Sequence, residues 1–405
     1  MDIQSLAEKY QNEILQNVVP FWEKNAFDPL YGGVYEAISE SGEVLSTDKN
    51  VGCQWQAVWT FSVVYHTLEP RPEWLELARR TAAFAWEKGR HPKGNWYQKL
   101  DRRGVVVAEA TDYAPALLAT MALGQLFRAT GEGTYAETAQ KLLTQTLKRR
   151  DTSLRKQRAD GTKRYLKPLA DGALIGRALL ESEAFLDRKV HKGLVAEFVH
   201  ELMNDFYDKR TDILLDHVTP EGHFWDCPQG RTLVPGRVFE VASCLMELAE
   251  RTRNRKLLSQ MVDLVELTMQ AAWDEPLGGF FHKMDIKSLP PLEPDWCHKL
   301  WWVQLEALPA LLKAHLVSAR PGFLARFEQL HEYLWAHFPD PAQGEWYGWL
   351  DREARPYLRH KITADKGCFY TIKNLLATSQ LLRLAADTER SARSPKVVLA
   401  QSIPK

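Results

Sequence analysis

Six predicted helix starts carry ionisable, polar and aromatic side chains, although the helices that follow are mostly apolar. These starts are residues 53–56, 111–113, 170–171, 235–240, 298–306 and 366–373. Carboxyl, phenol, guanidinium and amino groups that converge in a concave site can move protons or bind hydroxyls. The candidates for proton transfer are Tyr370, Glu306, Glu240 and Arg237. The candidates for substrate binding are Gln56, Trp55, Trp301, Trp302, His298, Lys373, Asp112 and Asp171.

A phrase that recurs about every 60 residues indicates which elements position these groups. Its copies begin at Tyr31, Gly94, Ser153, Ile213, Leu277 and Gly344. Each has an aromatic or apolar run followed by a polar run, which predicts a small β-hairpin or extended turn. The third copy is the most degraded, so five copies is the safer count. A fixed period of this kind is typical of a repeat architecture.

Amphipathic stretches between the hairpins predict twelve helices, near 2–25, 53–68, 72–90, 113–130, 133–149, 171–187, 190–207, 236–252, 255–273, 298–317, 321–338 and 367–386. An open stack of helix pairs needs polar caps at its ends, and none is obvious. We therefore predict an all-α fold, an (α/α)6 barrel with the hairpins gathered at its mouth. The more apolar helix after each hairpin is predicted to be the inner one. Residues 1–387 would form this single domain and 388–405 a flexible tail.

The bulk composition excludes several classes of protein. Of 405 residues, 45% are hydrophobic, and 52 basic residues balance 52 acidic ones. This balance argues against electrostatic binding of nucleic acid or membrane. Five widely spaced cysteines predict reduced thiols, and the amino terminus has no apolar signal core, so we expect a cytoplasmic protein. His217, His223 and His298 show no metal-site spacing, and we expect neither metal nor cofactor.

Several phrases resemble the N-acylglucosamine 2-epimerase family, which also includes cellobiose 2-epimerases and related aldose–ketose isomerases. They include VVPFWEK (18–24), YGGVYEAISESGEV (31–44), PGRVFE (235–240), KLWWVQLEAL (299–308) and KGCFY (366–370). The resemblance covers nearly the whole chain. It implies an (α/α)6 barrel, a carbohydrate substrate and, by analogy, a possible homodimer. It also implies proton abstraction next to a sugar carbonyl, with two histidines as proton carriers and an arginine on the carbonyl oxygen.

The chain departs from that family pattern at the three reactive positions. Arg237 stands where the family has the histidine of its PGH phrase, and Tyr370 where it has the histidine of CFH. Gln56 replaces the arginine before the VWTF phrase. Arginine does not exchange protons near neutral pH, and tyrosine would need a much lower pKa to act as a base. The family's two-histidine mechanism therefore cannot be transferred to this chain.

Each candidate has a structural alternative. Glu240 could simply pair with Arg237, since a buried carboxylate needs a partner. Lys373 could face either solvent or the site, Asp112 and Asp171 are more often helix caps than catalysts, and Trp301 and Trp302 cannot both face the lumen.

Three functions remain open from the sequence. The leading hypothesis is an altered sugar epimerase or isomerase acting on a mono- or disaccharide, for which Arg237 suggests an anionic sugar. The second is a glycan lyase or unsaturated-uronide hydrolase on the same barrel. The third is a carbohydrate-binding protein without catalysis.

Overall fold

Helices dominate the computed structural model, which describes residues 2–109, 113–159 and 166–393. Within these ranges the first helical stretch consists of α1 (Ile3–Glu13), a π-helical segment (Ile14–Val18) and α2 (Val19–Asn25). The other long helices are α3 (Val51–Thr67), α4 (Pro72–Lys88), α5 (Ala114–Thr130), α6 (Gly133–Ala159), α7 (Leu169–Ser182), α8 (Arg188–Glu201, followed by a π-helical turn Leu202–Phe206), α10 (Pro235–Thr252), α11 (Arg255–Ala272), α12 (Trp301–Ser318), α13 (Pro321–His337) and α14 (Phe369–Arg393). A short helix, α9 (Pro228–Arg231), lies in a connection.

Six of these helices form a closed inner ring. Helix α3 packs against α5, α5 against α7, α7 against α10, α10 against α12, α12 against α14, and α14 returns to α3. Each inner helix also packs against one outer partner: α4, α6, α8, α11, α13, or α1 in the case of α14. The predicted (α/α)6 barrel is confirmed. The inner helix is the more apolar of its pair for α3, α5, α7 and α12, whereas α10 and its outer partner α11 are about equally apolar. Within the described residues, no helix has both the length and the apolar character needed to cross a membrane.

Local sequence signals explain where the inner helices begin. The Asn50 side chain caps α3 by accepting a hydrogen bond from the backbone N–H of Cys53 at 3.1 Å. Proline occupies the first turn of α5 and α10, where its missing N–H costs nothing. Helix α5 ends at Gly131, whose φ of 75° is the left-handed conformation of a helix C-cap. These signals fix where α3, α5 and α10 begin and where α5 ends. The alternation of inner and outer helices along the chain then brings the starts of the inner helices to one end of the barrel.

Short antiparallel strands surround that end. They are β1 (Ala37–Ile38), β2 (Val44–Ser46), β3 (Lys49–Asn50), β4 (Tyr97–Leu100), β5 (Val106–Glu109), β6 (Lys167–Pro168), β7 (Tyr207–Asp208), β8 (Ile213–Leu214), β9 (His217–Val218), β10 (Thr232–Leu233), β11 (Met284–Asp285), β12 (Lys299–Leu300), β13 (Trp349–Leu350) and β14 (Pro356–Leu358). The strand before an inner helix pairs with a strand of the next repeat, as in β3–β4, β6–β9, β10–β11 and β12–β13. The strands therefore join neighbouring repeats at the end where the inner helices begin.

The hairpin prediction needs correction at the third copy. The copies that begin at Tyr31, Gly94 and Gly344 form the hairpins β1–β2, β4–β5 and β13–β14. In the copy at Ser153, the first residues belong to α6, which continues to Ala159, and residues 160–165 lie outside the described ranges. In the fourth copy, β8 pairs with the preceding strand β7, and β9 pairs with β6. In the fifth copy, β11 pairs with β10.

The carboxyl end of the chain is helical further than expected. Helix α14 runs from Phe369 to Arg393, past residue 388, where the sequence suggested the start of a tail. Residues 394–405 lie outside the described ranges.

Candidate functional site

Four ionisable side chains from three inner helices meet inside the barrel and are called the charged layer here: Arg237 and Glu240 of α10, Glu306 of α12 and Lys373 of α14. Arg237 Nη1 donates to Glu240 Oε2 at 2.5 Å. Lys373 Nζ donates to Glu306 Oε1 at 2.6 Å and lies 3.6 Å from Glu240 Oε1. All but Arg237 are buried. The layer therefore links two ion pairs through the ammonium group of Lys373.

The two carboxyl groups of the charged layer have different electrostatic surroundings. Burial would raise the pKa of Glu240, but Arg237 and Lys373 outweigh it and hold that pKa below its ordinary value. Burial dominates at Glu306 and raises its pKa, because Lys373 offsets it only in part and the charge of Glu240 adds to it. Neighbouring carboxyls whose pKa values are pushed apart are suited to different roles. The surroundings of Glu240 therefore favour its ionised form, and those of Glu306 favour its protonated form.

One oxygen of Glu306 is left available. Lys373 Nζ and Asn374 Nδ2 both donate to Oε1, the latter at 2.9 Å. Among the described residues no hydrogen bond to Oε2 is found, and Glu306 lies in the wall of a cavity. The second oxygen, Oε2, is therefore free to accept a hydrogen bond or a proton from a bound ligand.

Arg237, Tyr370 and Trp302 form the side of the charged layer nearer the hairpins. The Arg237 guanidinium lies 5.2 Å from the Trp302 ring centroid, and the Trp302 and Tyr370 rings are 6.0 Å apart. Burial opposes the charge of Arg237, but Glu240 and Tyr370 outweigh it and raise its pKa. Burial, assisted by Glu240, also raises the pKa of Tyr370 above its usual range. Tyr370 is thus a neutral phenol and cannot be the base that replaces a histidine.

Two predicted binding tryptophans lie elsewhere. Trp55 is fully buried, with Trp96 and Trp86 packed edge-on at centroid distances of 5.4 and 6.5 Å. Since Trp86 belongs to the outer helix α4, Trp55 fills the layer between the helix rings. Trp301 is also buried, 5.0 Å from the Trp349 ring in strand β13. Of the adjacent pair, Trp302 contacts the charged layer, in agreement with the expectation that both could not face the lumen.

The remaining predicted binding residues are dispersed. Gln56 is half-buried beside Gly367, just before α14. The His298 ring lies 4.8 Å from the ring of Tyr357 in strand β14. Asp171 is in the first turn of α7, where its charge acts on Arg150 of the outer helix α6. Asp112 lies outside the described residues. The structure therefore groups Arg237, Glu240, Glu306, Lys373, Tyr370 and Trp302, but not the full predicted set.

Sequence reasoning missed several polar residues. Asn374 follows Lys373 directly, and Asp216 adds to the negative field on Arg237. Arg177 and Glu181 stand four residues apart on the inner helix α7 and form an ion pair at 2.8 Å. Charged residues at that spacing on an otherwise apolar helix were a signal that could have identified the pair.

A cavity of about 600 Å³ occupies the barrel beyond the charged layer and is called the lumen cavity. Its wall includes Trp59, Gln125, Arg177, Glu181, Ser243, Glu247, Lys313 and Ala377, together with Glu240, Glu306 and Lys373. Five of them lie in the second halves of the inner helices, away from the hairpins: Gln125, Arg177, Glu181, Glu247 and Lys313. No group of three or more histidine, cysteine, aspartate or glutamate side chains suited to a metal ion occurs in the described part of the chain.

Fold and site together define an (α/α)6 barrel with a polar, small-molecule-sized lumen. Residues 33–374 match the family model for N-acylglucosamine 2-epimerase (GlcNAc 2-epimerase). The N-acylglucosamine 2-epimerase of Bos taurus is 28% identical over 399 residues, covering 94% of this chain and 93% of that one.

Solved structures agree in fold. A cellobiose 2-epimerase from Bacillus thermoamylovorans B4167 superposes with a TM-score of 0.80 at 17% identity, covering 93% of this chain and 99% of that one. A D-mannose isomerase gives a TM-score of 0.78 at 16% identity, covering 93% and 98%. The chain belongs to the N-acylglucosamine 2-epimerase family.

Proposed function

We propose that this chain is a carbohydrate isomerase that moves a proton between C2 and C1 of a mono- or disaccharide with one carboxyl group. The observation that carries the proposal is the contrast between Glu306, whose pKa is raised, and Glu240, whose pKa is lowered, on either side of Lys373. Its family membership supports a carbohydrate substrate.

The proposed reaction starts from the open-chain aldose. Glu306 Oε2 takes the C2 proton, and the electron pair of that bond forms an enediolate with the former carbonyl oxygen as its anion. The neutral Glu306 then returns the proton to C1. The hydroxyl proton of O2 must end on O1, and Tyr370, kept protonated by burial, can donate to one oxygen while it accepts from the other. The product is the ketose.

The number of proton carriers favours isomerisation over epimerisation. Inversion at C2 requires a proton to leave one face of the enediolate and return to the other, which takes a carrier on each side. A single carrier delivers the proton to the same face, at C1. Arg237 is permanently charged and Tyr370 has a raised pKa, so neither supplies the second carrier.

The charge pairing also favours a neutral sugar. The sequence alone suggested that Arg237 binds an anionic substrate. Arg237 is already paired with Glu240 at 2.5 Å, so a substrate carboxylate would have to compete with a buried partner.

The test is incubation of neutral aldoses, including mannose, N-acetylglucosamine and cellobiose, in D2O with product analysis by NMR. We expect a ketose and little C2 epimer, with deuterium at C1 only to the extent that the proton held by Glu306 exchanges with solvent before it is returned. Glu306→Gln should lower kcat at least 100-fold, because an amide cannot take the proton.

Glu332→Gln is the matched control, since Glu332 is exposed on the outer helix α13. The proposal is wrong if C2 epimer is the main product, or if Glu306→Gln retains the activity of this control.

A further inference from the structure

The overall charge balance of the chain conceals a local excess of positive charge. Residues 88–167 contain 17 lysines and arginines but only 7 aspartates and glutamates, whereas the other residues contain 35 and 45. This segment, called the basic sector here, runs from the end of α4 through the β4–β5 hairpin, α5 and α6 to β6. Such a segregation of charge within a neutral chain indicates a surface that attracts an anionic partner.

The exposed cations of the basic sector mostly lack an acidic partner. Those that pack against the barrel are paired, as Arg102 is with Asp28 and Arg150 with Glu201. Several exposed ones make no ion pair with another residue in the described ranges: Arg90, Lys93, Arg103, Lys141, Lys148, Arg149 and Arg155. Their charge is therefore available to an external partner.

Contacts between elements bring many of these cations onto one surface at the hairpin end of the barrel. Arg149 of α6 donates from Nη2 to the carbonyl oxygen of Lys93 and from Nη1 to Asn95 Oδ1, both at 3.1 Å. Lys88, at the end of α4, packs against the hairpin turn, where a Cβ on Gly104 would lie 2.6 Å from Lys88 Cγ. The second half of α6, the loop after α4 and the β4–β5 hairpin are therefore adjacent.

Three consecutive valines project from the same hairpin. Val105, Val106 and Val107 follow the turn directly and are 63, 42 and 54% exposed. Strand β5 is the outer strand of the sheet β3–β4–β5, so no further strand of that sheet covers it. Among the described residues, no other run of three large apolar side chains is exposed in this way. The basic sector thus combines unpaired cations with an exposed apolar segment.

This combination favours a lipid surface over a nucleic acid. Nucleic acids are held mainly by contacts between cations and phosphates, which leave the valines without a partner. An anionic bilayer accepts both kinds of group, because cations bind its headgroups and small apolar side chains enter the layer below them. We propose that the basic sector docks on the surface of an anionic membrane, with residues 105–107 at the boundary between headgroups and acyl chains.

Vesicle co-sedimentation tests the electrostatic part of this docking. The full chain should bind vesicles of phosphatidylcholine with about 30% phosphatidylserine, bind pure phosphatidylcholine at least ten-fold more weakly, and dissociate at high salt. The triple variant Lys93→Gln, Arg103→Gln and Lys148→Gln should lower the affinity for the anionic vesicles at least ten-fold. The matched control is Lys192→Gln, Arg255→Gln and Lys256→Gln, which removes the same charges from exposed positions on α8 and α11 and should bind like the unaltered protein. Since all six side chains are exposed, both variants should fold.

Val105→Ser tests the apolar part. Val105 precedes β5, so the change leaves the strand intact, and it should weaken vesicle binding at least three-fold even where salt screens the charges. Val190→Ser, at a 48% exposed valine of α8, is the control and should have no effect.

Each result bears on the proposal without any measurement of turnover, so the proposed isomerase activity is tested separately. Equal affinity for the two kinds of vesicle, or equal binding by the triple variant and its control, would overturn membrane docking. So would absence of vesicle binding together with binding of a DNA duplex that requires the three cations but not Val105, since the partner would then be a nucleic acid.

Discussion

At the scale of single residues, the raised pKa of Glu306 predicts the pH dependence of the reaction. A base must be ionised, so kcat/KM should rise with pH through the pKa of Glu306, which burial places above the ordinary value of 4.5. No fall is expected up to about pH 10, because burial raises the pKa of Tyr370 above its usual value near 10. The measurement is a pH–rate profile on an aldose that is turned over.

Two results would contradict this assignment. An inflection at or below 4.5 would mean that Glu306 is not desolvated in the free enzyme. A descending limb near neutral pH would indicate a histidine-like acid, which the layer of Arg237, Glu240, Glu306 and Lys373 does not contain.

The three departures from the family pattern give a second prediction at this scale. The triple variant Arg237→His, Tyr370→His and Gln56→Arg supplies a second proton carrier and restores the arginine that the family resemblance places on the carbonyl oxygen. We expect C2 epimer to appear in the D2O assay, with deuterium at C2. The double variant that keeps Gln56 is the control and should epimerise more slowly. Absence of epimer from a folded triple variant would mean that more of the site has diverged than these positions.

At the scale of elements, one ion cluster connects the elements of the third repeat, in which α6 extends to Ala159. Arg150 of α6 donates to Glu201 Oε2 at 3.0 Å, and Lys167 of β6 donates to Glu201 Oε1 at 3.0 Å. Both cations are buried, and they lower the pKa of Glu201 to about 2 despite its desolvation. The cluster therefore joins α6, α8 and β6.

Glu201→Gln should therefore destabilise the protein at neutral pH. The folded-state pKa of about 2 lies below the ordinary value of 4.5, so the stabilisation is complete above pH 4.5 and is lost as the pH falls toward 2. A shift of this size corresponds to about 3 kcal/mol. Urea unfolding of Glu201→Gln should show that loss at pH 7 and a smaller one near pH 3. Glu197→Gln, exposed on the same helix, should match the unaltered protein, and equal behaviour of the two variants would refute the role of the cluster.

The elements also show what the sequence could predict. Apolar content located the long helices, although in different ways. Helix α10 has one apolar face that repeats with the helical period, whereas α3 and α12 are apolar and buried on almost every side, as expected for inner helices. The strands were less predictable, since most are two residues long and pair with segments of another repeat, as Lys49 does with Leu100. Adjacency in sequence did not reveal which side chains share a site. Trp55 lies one position before Gln56 but points to the outer helices, whereas Arg237 and Tyr370 meet from distant helices.

At the scale of the whole molecule, closure of the ring distinguishes the barrel from an open helical repeat. In an open array each repeat contacts only its neighbours, so repeats can unfold in sequence. Here α14 packs against α12, α3 and α1, which joins the last repeat to the first. Loss of α14 would open the ring and expose the inner faces on both sides of the gap. Unfolding should therefore be a single transition, although the chain is long.

Leu375→Ala tests this cooperativity from the helix that closes the ring. Leu375 is fully buried, so its truncation should cost about 2–5 kcal/mol, measured by urea unfolding. The fluorescence of the tryptophans and the helical circular dichroism should still report one coincident transition, at lower urea. Leu384→Ala, on the same helix but 57% exposed, should change stability by less than about 0.5 kcal/mol. Two separate transitions in Leu375→Ala would mean that the repeats retain independent stability once α14 is weakened. The barrel would then behave as an open repeat array in which the first and last repeats are in contact but do not stabilise each other.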